Sequence, residues 1–189
     1  MQTQLISKLN SVYQLKEENL SLLLSKWKAV EIQKGDFLTK KGTKENYLYF
    51  INEGIARGYI EAEEKQISLG FAYHNDFTAA IDSFVSGQPT ELQLFAESKL
   101  IGFRILRSDL LALYDQNHEI ERLGRLLMEM LLLLMSKQQI YYLSMSAEAR
   151  YLRFIKESEH LLQLVSQKHV ASYLGMSAET FSRLRKKFS

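Results

Sequence analysis

The sequence predicts an α+β protein with N-terminal helices, an antiparallel β-roll of jelly-roll type, one long helix, and an all-α C-terminal segment. Three observations carry this. Short β-type runs separated by turn residues fill positions 28–106, and seven of the nine glycines lie at or before Gly102. An apolar pattern with 3-4 spacing then runs from about Glu119 to Ser144. Finally, two short helical patterns flank Gly175 near the C-terminus. The boundaries that follow are a sensor-like domain over 1–116, a connecting helix over 117–145 and a helical domain over 146–189.

Composition narrows the possibilities. A chain of 189 residues with 46% hydrophobic and 24% charged residues can bury a real core. It has no cysteine, which removes disulfides, zinc-thiolate sites and cysteine-held iron–sulfur clusters. The N-terminus lacks the pattern of a signal peptide, so a cytoplasmic protein without a membrane partner is expected. The most hydrophobic run, Leu126–Met135, falls short of the roughly 20 residues that span a bilayer.

Along the chain, Leu5, Leu9, Val12, Leu20, Leu23 and Leu24 predict one amphipathic helix over 3–26, closed by Trp27. Strands are expected in KAVEIQ, FLTK, YLYFIN, IARGYIE, KQISLGFAY, TELQLFAES and KLIGFRI. HNDFTAAIDSFVSGQPTELQ interrupts them with a loop, a short helix and a second loop. Loops on a rigid scaffold tend to carry function, so a ligand pocket is sought there.

LLALYDQ predicts a short helix, and the long helix follows. Ile120, Leu123, Leu127, Met130 and Leu134 form a heptad-like seam, with Tyr141 continuing it and Lys137 as its break. Leu126, Leu131, Leu132 and Leu133 lie off that seam. A helix apolar nearly all round needs cover on two sides, and the expected second cover is a copy of itself in a parallel homodimer. SAEARYLRFIKES predicts the next helix, with Tyr151, Leu152 and Ile155 inward.

The last stretch, Ser166–Ser189, reads as a helix-turn-helix. Val170 and Leu174 share one face, Gly175 suits a turn needing positive φ, and Ser177 can cap the second helix. Phe181, Leu184 and Phe188 are placed inward, while Ala178, Glu179, Ser182, Arg183 and Lys186 look out. Residues 177–189 carry Arg183, Arg185, Lys186 and Lys187 against Glu179 alone, although the whole chain is only +2. Positive charge concentrated on one short helix suits a phosphate backbone, so double-stranded DNA is the expected partner.

The order of these segments resembles the cyclic-AMP receptor/FNR family of bacterial transcription regulators. LYFINEGIARGYI in the roll, SGQPTE before the later strands and HVASYLGMSAETFSRLRKK at the end carry the resemblance. It implies a dimeric regulator in which Glu179 and Arg183 read bases while Ser177, Thr180 and Lys186 hold phosphate. RNA polymerase becomes a candidate partner by the same route. The chemistry agrees: a carboxylate accepts from cytosine N4, and a guanidinium forks onto guanine O6 and N7. Ala178 stands where relatives often carry an arginine.

Nucleotide-binding members present a Gly-Glu pair to the ribose and an Arg-Ser or Arg-Thr pair to the cyclic phosphate. Here Ala79-Ala80 and Thr90-Glu91 stand in those places. A carboxylate within ~4 Å of a phosphate repels it by several kcal/mol at an effective dielectric of about 20. The expectation is therefore no useful affinity for cyclic AMP or cyclic GMP, and no cofactor. Any small-molecule effector would be uncharged or greasy, taken by a pocket including Phe77, Ala79, Ala80, Thr90 and Glu91, with Phe71, Ile81, Phe84 and Leu94 as further apolar lining. The family's wing, a hairpin after the recognition helix, is not evident before Ser189.

Two other functions compete. A metal enzyme on the roll needs several inward histidines, and His74 is the only one in that region, so no enzyme is expected. The alternative to a regulator is a ligand-sensing or protein-interaction module whose helix-turn-helix does not bind DNA.

Overall fold

The computed structural model describes residues 2–63 and 65–188, and places antiparallel β-sheets among several helices. Its elements are α1 (Gln2–Val12), α2 (Glu17–Lys26), β1 (Lys28–Ile32), β2 (Phe37–Thr39), β3 (Tyr47–Glu53), β4 (Ala56–Ala62), β5 (Lys65–Ala72) and β6 (Asp76–Thr78). Then follow α3 (Ile81–Ser86), β7 (Gln93–Ala96), β8 (Leu100–Leu106), α4 (Arg107–Gln116), α5 (His118–Ser144), α6 (Ala147–Ser158), α7 (Leu161–Leu164), α8 (Gln167–Tyr173) and α9 (Ala178–Phe188). The chain forms two compact units. The first comprises Met1–Gly58 and Phe71–Leu131, the second Tyr59–Gly70 and Leu132–Ser189.

The first unit is built around β3. One sheet runs β1-β8-β3-β6, and the other β2-β7-β4-β5. β3 pairs antiparallel with β8, Phe50 facing Phe103, and with β6, Phe50 facing Phe77. Successive side chains leave a strand on opposite faces. Leu48 and Phe50 thus join Leu5, Leu9, Leu23, Trp27, Ile105 and Leu113 in a core under the helices. Tyr49 and Ile51 instead pack with Ala56, Ala72, Ala96 and Leu100. A strand buried on both faces reads as a near-continuous apolar run, as YLYFI does.

The N-terminal helix differs from its expected form, being broken at Tyr13–Lys16. No proline or glycine marks the break; burial of Leu15 and an extended Lys16 (φ −62°, ψ 150°) do it. Glu119 fixes the new start, accepting from Asn19 Nδ2 at 2.6 Å. Asn117 caps α5 through Oδ1, which accepts from the amides of Glu119 (3.1 Å) and Ile120 (3.2 Å). β6 is a strand where a loop was expected, pulled into the sheet by β3.

In the second unit the starts of α6, α8 and α9 each have their own hydroxyl. Ser146 accepts from Ala149 N (3.2 Å), Ser166 from His169 N (3.4 Å) and Ser177 from Thr180 N (3.2 Å). α8 ends in a Schellman turn. Gly175 N donates to Ser172 O and Met176 N to Ala171 O, both at 3.0 Å, with Gly175 at φ +64°. Tyr151, Phe154, Leu161, Val170, Leu174, Phe181 and Leu184 are buried here. Tyr151 meets Phe181 edge-on at 5.5 Å and stacks on the half-exposed Phe188 at 6.1 Å. On α6 the inward partner of Tyr151 is Phe154, one turn on, whereas Leu152, expected inward, is exposed. A wing would concern the chain past Phe188, outside the described residues.

Candidate nucleic-acid interface and ligand pocket

The turn fixes α9 against α8, and the buried pair Phe181 and Leu184 leaves its other side open. Ser177, Ala178, Glu179, Ser182, Arg183 and Lys186 are exposed, and Thr180 is half-buried. Glu179 hydrogen-bonds its own amide and the Ser177 side chain, which hold its carboxyl below the ordinary range and keep it charged at neutral pH. Arg183 lies one turn later on the same face. Lys187 is committed elsewhere, donating to Glu148 at 2.8 Å. Arg183 and Lys186 are exposed and make no ion pair among the described residues.

Sequence reasoning missed Arg150. Its guanidinium donates to Met145 O (2.8 Å), Tyr142 O (3.1 Å) and Leu174 O (2.8 Å), gathering the end of α5, the start of α6 and the α8 turn. One rigid fork thereby satisfies carbonyls that helix ends leave orphaned. Its only sequence signal is a lone arginine within an apolar face.

The expected ligand pocket is dispersed. Phe77 lies in the core between Trp27 (6.0 Å) and Phe50 (5.1 Å). Ala79 and Ala80 are buried, and Ala80 N donates to Glu45 Oε2 at 3.2 Å. Thr90 is buried with its hydroxyl on Asp82. Glu91 turns outward to Lys41, 2.8 Å away. Among the apolar lining, Phe84 and Leu94 are buried while Phe71 and Ile81 are half-buried.

Glu45, which sequence reasoning did not single out, sits against the start of α3, its backbone amide donating to the Ser83 hydroxyl at 2.9 Å. It also accepts from Tyr47 N (3.0 Å) and from the Thr39 hydroxyl, and burial pushes its carboxyl above the ordinary value. Gly87 (φ +71°) closes α3, and Arg107 holds the carbonyls of Phe84 and Val85. A cavity of about 590 Å³ lies elsewhere, beside the β1–β2 turn, where Glu31, Asp36, Lys40, Tyr49 and Arg104 are among its walls. None of the expected pocket residues lines it. Among the described residues no group of His, Cys, Asp and Glu is placed to hold a metal, and no helix is long and apolar enough to cross a membrane.

The expected seam on α5 splits. Ile120 and Leu123 are 0% and 2% exposed in the core of their own chain, and Leu127 packs against that core. Fully buried side chains have no area left for a partner. Met130 and Leu134 are exposed at 53% and 62%, together with Leu132, Leu133, Met135, Ile140 and Leu143. The uncovered apolar surface is thus the C-terminal half of the helix.

Comparison with known proteins bears on the fold. The cyclic nucleotide-binding domain family matches residues 29–117, the roll and α4. Solved structures that cover most of this chain include CRP/FNR-type regulators, and the likeness is one of fold. FixK2 from Bradyrhizobium japonicum aligns at a TM-score of 0.73 and 18% identity, over 85% of this chain and 83% of FixK2. The c-di-GMP-responsive global regulator CLP of Xanthomonas campestris aligns at 0.70 and 16%, over 91% of both chains. A protein from Eubacterium rectale, described as a transcriptional regulator of the crp/fnr family, aligns at 0.71 and 15%, over 92% of this chain and 83% of its own. No curated protein matches the sequence.

Proposed function

We propose that this chain is a dimeric, DNA-binding transcription regulator in which α8 and α9 form the helix-turn-helix. The observation that carries the reading is the outer side of α9, where Glu179, Arg183 and Lys186 are exposed and the two cations have no carboxylate partner among the described residues. Glu179 and Arg183 read base edges; Ser177, Thr180 and Lys186 meet phosphate. Ser177 already caps α9, so its contact runs alongside the cap. The likeness to CRP/FNR-type structures supports the same reading at the level of fold. The protein is cytoplasmic, catalyses no reaction, and meets RNA polymerase at the promoters it controls.

The sensor half takes no cyclic nucleotide, because Asp82 holds the Thr90 hydroxyl, Glu45 holds the Ala80 amide, and Arg107 beside α3 is spent on the carbonyls of Phe84 and Val85. Exposed Met130, Leu134 and their neighbours supply the dimer contact. Selection from a pool of random duplexes tests the proposal. The wild type should enrich one sequence, Arg183→Ala should relax preference at one position, and binding should weaken steeply with salt. Binding without salt dependence, or no enrichment, would make the chain a protein-interaction module instead.

A further inference from the structure

β5 is the outer strand of the β2-β7-β4-β5 sheet, and among the described residues no other strand continues the sheet beyond it. Backbone groups of residues two apart in a strand point to the same side, so Gln66 O and Ser68 N face outward together. A single side chain meets both. The Ser172 hydroxyl, from the last turn of α8, accepts from Ser68 N at 3.0 Å and donates to Gln66 O at 3.0 Å. One hydroxyl thus does for this edge what the next strand's backbone would do, and Ser68 is only 4% exposed.

All of these residues belong to the second unit, in which hairpin residues 59–70 cluster with the C-terminal helices. α8 is also held by Gln138, whose Nε2 donates to the Tyr173 hydroxyl at 3.2 Å, and by the Arg150 fork. The Schellman turn then passes the pose of α8 to α9. The hairpin itself runs without interruption into the roll at Gly58 and Phe71.

We propose that Ser172 is a positioning residue, through which the β4–β5 hairpin sets the pose of the DNA-reading helix α9. This rests on the DNA-binding reading above. Ser172 touches the hairpin and not the nucleic acid, so its effect on DNA is exerted through α8.

The test uses the full chain, a duplex selected by the wild type, and amide hydrogen exchange. Ser172→Ala should speed exchange at Ser68 by about tenfold or more while amides inside α9 stay protected. DNA affinity should fall about five- to tenfold, and Ser172→Thr, which keeps the hydroxyl, should restore both. Ser68→Pro removes the donor from the hairpin side, a change an edge strand tolerates, and should lower affinity similarly. Unchanged exchange at Ser68 in Ser172→Ala would overturn the contact. Faster exchange with unchanged affinity in both variants would reduce it to structure alone. Failure of the wild type itself to bind DNA would sink the regulator reading and this proposal with it, whatever the exchange shows.

Discussion

The Thr90 hydroxyl lies 2.8 and 2.7 Å from the two carboxylate oxygens of Asp82, eight residues earlier on α3. Thr90 also accepts from Leu92 N at 2.9 Å, and its one hydroxyl proton is already given to Asp82 within the chain. An incoming phosphate would have to displace a carboxylate and then sit beside it. Isothermal calorimetry should therefore give dissociation constants weaker than about 1 mM for cyclic AMP and cyclic GMP. Micromolar binding of either would show that α3 rearranges to admit an anion.

The two halves of α5 should respond differently to substitution. Leu134→Arg places a charge in the exposed apolar surface and should weaken self-association by about a hundredfold or more, with the fold intact, in sedimentation equilibrium. Leu123→Ala should instead cost about 2–5 kcal/mol of stability in the first unit, because it empties a buried site. A Leu134→Arg protein that associates as tightly as wild type would remove this surface from the interface.

Gly175 combines two constraints. It sits at φ +64°, and a Cβ there would run into the ring and hydroxyl of Tyr142. Gly175→Ala should destabilise the second unit by about 2–4 kcal/mol in urea unfolding. Pairing it with Tyr142→Ala should recover the steric part of that loss relative to Tyr142→Ala alone and leave the backbone part. Equal losses on both backgrounds would show that the ring yields freely.

Glu45 should leave a mark on stability against pH. Burial raises its folded pKa above the ordinary 4.5, so the native state holds its proton more tightly than the unfolded chain. Its favourable contribution is present below the unfolded value and is lost as pH rises through the raised folded value, then stays flat. Asp76, raised by the same cause, acts in the same direction. Glu45→Gln should flatten part of the decline that sets in as pH rises past the ordinary carboxyl value of 4.5, read from urea midpoints. An identical decline in wild type and variant would mean that folding does not raise the Glu45 carboxyl.

Local signals told much of the fold. Glycine-bounded runs marked the strands and Ser177 marked the start of α9, whereas the caps at Asn117, Ser146 and Ser166 emerged only from the structure. Sequence missed what distant contacts impose: the break at Tyr13–Lys16, the strand at Asp76–Thr78 and the inward turn of Phe154 rather than Leu152. The heptad pattern on α5 could not tell cover by the chain's own roll from cover by a second copy, since both bury leucine equally well.

By itself the sequence determined the α+β class, the basic C-terminal helix and the exposed placement of Glu179 and Arg183, because period and charge are local properties. Tertiary structure alone decided that Phe77 fills a core, that Asp82 occupies Thr90, that Arg150 gathers three chain segments and that Ser172 closes a sheet edge. Each of those depends on which groups far apart in the chain must satisfy one another once water is excluded, and no periodicity records that.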